Sequence, residues 1–414
     1  MGWEAVGPIP VPSEKWPSAH VYPFGVSYRV VFIDHVARLS GGEIALARAV
    51  TALGSRVDAH VILGEHGPLV DCLREAGATV EVLPMPVVAR EVRKDGVRPG
   101  TLDLRAVASS LQYVWTLRRR LRDLRPDVVH TNSLKAALYG GVAGRLAGIP
   151  VVWHIRDRIA RDYLPMAAVR MVRLGSRIVP DVLIANSYTT LGTLAHRRGV
   201  VVSDPVISHP IRSHASRQLT REGPFRVGIV GRLAPWKGQD VFLKAFARAF
   251  PDDESEAWIV GAAMFGEDSY SDRLQVEARR LRISDRVVFR GFRRDVWAEL
   301  SQIHLLVHCS LTPEPFGQVV VEGMAAGVPV IAADAGGPAE IITHNVDGIL
   351  TAPGDVAALA AAMRQIRDDA PLRRVLVAGG FARAEHYSPE KTAHSLLAVY
   401  EAVSPLNVDV TRPA

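Results

Sequence analysis

The sequence predicts an α/β fold of two Rossmann-like, doubly wound domains facing a central cleft. Three observations predict it. Short Val/Ile-rich runs of four to seven residues alternate with longer helical patterns, as in parallel strands buried on both faces. The alternation breaks off in a polar, aperiodic stretch and then restarts. At 414 residues the chain exceeds one ordinary core and suits two domains of roughly 200 residues each.

The first series starts with "YRVVFID" at Tyr28, then a helix after Gly41 and Gly42, "VDAHVILG", a helix through Cys72, "ATVEVLP" and a long helix through Trp115. It continues with "DVVHTNS", a helix from Leu134 to Ala147, "IPVVWHI", an Arg-rich helix and "DVLIANS". The second runs "FRVGIVG", "AWIVGA", "RVVFRG", "HLLVHCS" and "VPVIAAD", with helices between. The expected organisation is a Pro-rich leader (1–24), an N-terminal acceptor domain (25–207), a linker (208–224), a C-terminal domain (225–387) and a final helix and tail (388–414). Ala393, Leu396, Leu397 and Tyr400 recur at helical spacing in that last helix, which is free to pack back on the N-domain.

Composition narrows the class. Hydrophobic residues make up 48% and charged ones 22%, the profile of a globular enzyme. Every apolar run is interrupted well short of the roughly 18 residues a membrane span needs, and the N-terminus lacks the pattern of a signal peptide, so a cytoplasmic location is expected. Cys72 and Cys309 lie far apart without metal-ligand spacing and read as apolar thiols. Heavy use of Ala, Arg, Gly and Val points to a bacterial source. The net charge of +6 favours anionic ligands or surfaces. Arginines cluster at 118–125 and 156–177; each cluster reads as a solvated helix face, or, for "DYLPMAAVRMVRLGSRIVP", as a peripheral membrane contact. No nucleic-acid-reading module accompanies them.

The chemistry is expected at the carboxyl ends of strands, where open α/β sheets bind ligands. In "GIVGRLAPWKGQD", Gly231 permits close backbone approach, while Arg232 and Lys237 offer the fork and the point charge suited to a diphosphate. The glycine spacing and Gly238 after Lys237 exclude a Walker A loop, and no G-x-G-x-x-G leads to an acidic residue as a dinucleotide site requires. In "HCSLTPEPFGQVVVEGMAAGVPVIA" a loop carries Glu314, Phe316 and Gly317 into a helix whose unpaired N–H groups suit a phosphate or sugar hydroxyls. Glu322, early in that helix, tilts back toward the same cleft. Two carboxylates beside a phosphate site make sense as acceptors for neutral hydroxyls.

Glu314 and Glu322, with seven residues between them, resemble the E-x7-E signature of the retaining GT-B glycosyltransferases of family 4 (glycosyl transferases group 1). "GRLAPWKG", "GVPVIAADAGGPAEII" and "LSGGE" resemble further elements of that family, in order, over nearly all of the chain after residue 28. The resemblance implies a nucleotide-sugar donor, most commonly UDP-linked; the acceptor is expected to be a small molecule, or lipid-linked if the Arg-rich helix lies on a membrane surface. It implies that Arg232 and Lys237 hold the diphosphate, Glu322 the ribose and Glu314 the transferred sugar. Backbone groups around Phe316, Gly317 and Gln318 would also contact donor, and Gly41 and Gly42 would close over it. His154, at the end of "VVWHI", stands open between a residue beside the donor sugar and a core histidine. Arg290, Gly291, Phe292 and Ser310 are further donor candidates; Asn132 and Lys135, after another strand, are acceptor candidates. No cofactor and no metal are expected, since the chain contains no D-x-D and the cations stand where charge develops. The stretch "PMPVVAREVRKDGVRPGTLDL" reads as an acceptor-facing or lid segment. Alternatives are a nucleotide-sugar epimerase of the same architecture and an inactive sugar-nucleotide-binding protein.

Overall fold

The computed structural model describes residues 27–86, 104–195, 199–206, 223–263 and 266–405. The Pro-rich leader, most of the stretch from Pro84 to Leu104, nearly all of the linker and the last nine residues lie outside the described residues.

The first sheet contains β1 (Tyr28–Asp34), β2 (Val57–Leu63), β3 (Thr79–Val82), β4 (Val128–Thr131), β5 (Val151–Ile155), β6 (Val182–Ala185) and β7 (Val200–Val201), in the order β3-β2-β1-β4-β5-β6-β7. The second contains β8 (Arg226–Val230), β9 (Glu256–Val260), β10 (Val287–Gly291), β11 (Leu305–His308), β12 (Val330–Ala333) and β13 (Ile349–Thr351), in the order β10-β9-β8-β11-β12-β13. Every pairing is parallel. Strand order reverses at β1/β4 and at β8/β11, which opens a crevice at the carboxyl end of each sheet. β7 and β13, of two and three residues, carry too short an apolar run to register in the sequence.

The helix Gly41–Leu53 follows β1 because an Ala/Leu-rich apolar face sits between strong boundaries. Ser40 at its N-cap donates to the Glu43 carboxylate, and Gly54 ends it at a positive φ. Trp153, wholly buried, anchors the opposite face of the sheet under the helices Leu104–Leu124 and Met166–Ile178. No described helix is long and apolar enough to cross a membrane.

The helix Pro389–Val403 starts with Ser388 as N-cap and proline at its first turn. It buries Ala393, Leu396, Leu397, Val399 and Tyr400 in the core of the first sheet, among Tyr28, Phe32, Leu46 and Leu53. The chain thus crosses between domains twice. Val206 N–H donates to the Tyr387 carbonyl at 2.8 Å, and Thr392 Oγ1 to the Ser203 carbonyl at 3.0 Å, so the two crossings run side by side.

Candidate active site between two sheets

Gly231 follows the last residue of β8, and a short turn (Pro235–Lys237) places Lys237 against β11. Gly238 adopts φ +75°, and a Cβ there would lie 2.2 Å from the Cys309 carbonyl oxygen, so only glycine passes this turn. Lys237 Nζ donates to Glu314 Oε1 at 2.5 Å. The same oxygen meets His308 Nε2 at 2.8 Å and the Ser310 hydroxyl. Burial alone would raise the Glu314 carboxyl; Lys237 and His308 outweigh it and hold the group well below the usual carboxylate range. Glu314 is therefore an ionised acceptor with one oxygen committed. Arg232 Nε lies 3.6 Å from Glu267, and both Arg232 and Lys237 flank the Trp236 ring, at 5.7 and 4.6 Å.

Gly317 caps the helix Gln318–Ala325 at φ +95°, where a Cβ would meet the Pro338 ring at 2.8 Å. Phe316 packs edge-on against Tyr387 in the core, so its backbone, not its ring, is available to a ligand. Glu322 accepts from Gln318 Nε2 at 3.1 Å and, across the cleft, from Arg48 Nη2 at 2.9 Å. Gly41 faces Gln318 closely enough that a Cβ would come within 3.4 Å of its side-chain oxygen.

The N-domain contributes a buried polar network. Asn132 Nδ2 donates to Asp34 at 2.6 Å and to the Gly42 carbonyl at 3.2 Å, while its Oδ1 accepts from Arg156 Nε at 3.1 Å. Arg156 also pairs with Asp204, which Asn186 holds at 3.1 Å. His154 Nδ1 lies 3.4 Å from Arg156 Nη2 and 3.2 Å from His130 Nε2. Burial, and then Arg156, keep both imidazoles neutral, His130 at about 3. Glu43 is raised by burial and by Asp34 beside it. Burial would raise Asp34 too, but its hydrogen bonds and the His35 charge hold it low. Further contacts bridge the domains: Arg158 Nη1 to the Pro313 carbonyl (3.3 Å), the Ser187 hydroxyl and Thr190 Oγ1 (3.3 Å) to the Pro315 carbonyl, and the Tyr188 and Thr189 N–H groups to Glu340.

The structure thus gathers Gly231, Arg232, Lys237, Ser310, Glu314, Gly317, Gln318 and Glu322 at one sheet end, with Gly41, Gly42 and His154 opposite. Other candidates are spent elsewhere. Arg290 is locked in a two-pronged pair with Glu299 at 2.8 and 3.0 Å and stacks on Trp258. Phe292, just past Gly291, stands exposed. Asn132 has both ends of its amide engaged inside the network, and Lys135 is half-buried in the turn after β4. Sequence reasoning misses His308, Arg48, His130, Tyr400 and Glu340; of these His308, at the end of β11 in "HLLVHCS", carries a strand-end signal. Among the described residues no group of three or more His, Cys, Asp or Glu is placed to hold a metal ion.

Two facing Rossmann-like domains with ligand-binding chemistry on both strand ends define the GT-B architecture. Residues 211–383 match the family described as glycosyl transferases group 1, and residues 41–210 match glycosyltransferase family 4. A lipopolysaccharide core biosynthesis glycosyltransferase, LpsD of Rhizobium meliloti, is 30% identical over 322 residues, covering 75% of this chain and 86% of that protein. A 2-deoxystreptamine glucosyltransferase of Streptomyces kanamyceticus is 27% identical, covering 72% and 82%. The crystal structure of Anabaena HepE in complex with UDP and glucose superposes with a TM-score of 0.76 at 27% identity, over 92% of this chain and 100% of that one. The chain belongs to the group 1 glycosyl transferases, family 4, and is by family a glycosyltransferase.

Proposed function

We propose that the protein transfers a sugar from a UDP-linked donor to an acceptor hydroxyl with retention of anomeric configuration and without a metal ion. The observation that carries this reading is the Lys237–Glu314 pair at the end of β8 and β11, beside Arg232 and the first turn of Gln318–Ala325. The UDP complexes of the HepE relative support the choice of nucleotide. Breaking a glycosyl phosphate bond puts negative charge on the leaving diphosphate, so Arg232, Lys237 and the helix dipole stabilise the transition state more than the ground state. Glu314, kept ionised, accepts from hydroxyls of the transferred sugar, and Glu322 from the ribose. His154 stands opposite, on the N-domain side of that sugar. Retention by front-face attack lets the leaving phosphate take the acceptor proton. Closure of the domains excludes water that would otherwise hydrolyse the donor.

The acceptor is a natural product, a glycolipid or a cell-envelope precursor; the names of the relatives span the first and the last. A lipid-linked acceptor draws support from one N-domain face. Met171, Leu174 and Ile178 lie exposed on the helix Met166–Ile178, interleaved with Arg170 and Arg177. Such a face suits peripheral contact with the anionic inner surface of a membrane.

The test is a panel of UDP-sugars and acceptors with EDTA present, the product linkage read by NMR. The reading expects a new α-linkage from an α-configured donor at undiminished rate in EDTA. An inverted product, a dependence on added metal, or an epimerised donor with no new glycosidic bond would each overturn the corresponding part.

A further inference from the structure

His154, at the carboxyl end of β5, is 1% exposed, and its Nε2 has no hydrogen-bond partner. Its Nδ1, by contrast, faces two nitrogens: Arg156 Nη2 at 3.4 Å and His130 Nε2 at 3.2 Å. A guanidinium only donates, so Nδ1 of His154 must accept. His130 Nε2 can then bond to it only by donating as well. That leaves His130 Nδ1 without a proton in the neutral ring, and it accepts from the hydroxyl of Tyr400 at 2.9 Å. Tyr400 comes from the C-terminal helix, which returns to the first domain after the second is complete. The ring geometry holds the order in place: His130 packs against Phe32, His154 and Tyr400 at centroid distances of 5.0, 5.3 and 5.9 Å. The groups around the pair agree, since burial and Arg156 disfavour a second proton on either imidazole. The tyrosyl proton is held equally firmly, because burial raises its pKa.

We infer that Tyr400 and His130 are positioning residues that fix His154 as the Nε2–H tautomer, leaving a neutral, buried N–H donor for an oxygen of the bound donor sugar. This rests on the proposed function, in which His154 lies beside that sugar; Arg156, which meets His154 and is joined through Asn132 to the Gly42 carbonyl, ties the histidine to the cleft. A neutral donor suits a hydroxyl or ring oxygen. The final helix thereby serves the reaction as well as the core of the first domain.

The experiment uses the full chain labelled with 15N-histidine, the His154 signals being identified by their loss in His154→Ala. Two-bond proton–nitrogen correlations distinguish the Nε2–H tautomer, the Nδ1–H tautomer and imidazolium. In wild type, His154 is expected as Nε2–H. In Tyr400→Phe, which keeps the ring, and in His130→Leu, the Nδ1–H form gains population. Sugar transfer by Tyr400→Phe falls about five- to tenfold in kcat, with the donor KM and the melting temperature little changed. A purely structural role would lower the melting temperature without moving the tautomer. Finding His154 as Nδ1–H or imidazolium in wild type, or unchanged tautomer and kcat in both variants, overturns the inference. The resting-protein tautomer decides it whether or not the wild type transfers sugar, so a failure of the functional reading is seen separately.

Discussion

Replacing Lys237 with methionine removes the charge but keeps much of the side chain, and the burial of its partner sizes the effect. The Lys237 and Glu314 side chains are 17% and 9% exposed, so Glu314 loses a close buried counter-charge. Breaking a buried pair typically costs about 3 to 5 kcal/mol. His308 and Ser310 still bond to Glu314, which places the expected loss at about 2 to 3 kcal/mol, or roughly 5 to 10 °C in melting temperature for a domain of this size. The pH dependence is a sharper reading. In the wild type the Glu314 pKa is depressed, so its contribution to stability is full above the ordinary carboxyl range and is lost as pH falls toward the folded value. Without Lys237, desolvation pushes Glu314 upward and the folded state welcomes a proton, so the gap between variant and wild type narrows as pH drops from 7 toward 4. Adding Glu314→Gln removes the stranded charge and should return most of the lost stability. Under the proposed function transfer should stay down by about 30- to 1000-fold, since Lys237 is there the cation of the leaving diphosphate. Thermal denaturation against pH, with donor turnover on the same samples, checks this. A single variant that melts like the wild type at pH 7 would deny Lys237 its part in holding Glu314, and a double variant with normal turnover would deny it a part in transfer.

Arg48→Leu removes the ion pair that joins Glu322 to the first domain, and small-angle scattering should show a larger radius of gyration at rest; an unchanged radius would deny the pair a part in closure. Gly238→Ala drives a methyl into the Cys309 carbonyl at a positive φ, so calorimetry should find the second domain destabilised by at least about 2 kcal/mol. Gly42→Ala is different in kind. Its Cβ would stand 3.3 Å from Cδ of Arg156, whose guanidinium is held by Asn132 and Asp204, so that network must give by a few tenths of an ångström; the melting temperature should fall by a few degrees and transfer should fall with it.

Much of the fold was legible because parallel strands buried on both faces write themselves as Val/Ile runs, and "YRVVFID", "VVWHI" and "RVGIV" each became a strand. β7 and β13 were not, being too short to carry a pattern. Glu314, Lys237 and Glu322 were legible as charged residues at strand ends and helix starts. Arg48 was not, for on the sequence it is one more arginine on a helix, and only the approach of the second domain gives it Glu322 as a partner. The same holds for Arg156, hidden in an Arg-rich stretch yet buried against Asp204. His130 and Tyr400 are 270 residues apart, and their contact exists only because the last helix returns to the first sheet.

In the proposed function the second domain holds the nucleotide-sugar through Lys237 and Glu322. Calorimetric titration of UDP into the protein in EDTA, alongside Lys237→Met and Glu322→Gln, tests it most directly. Saturable binding to the wild type is expected, weakened about tenfold or more in each variant. No binding, or variants that bind as tightly as the wild type, would contradict it.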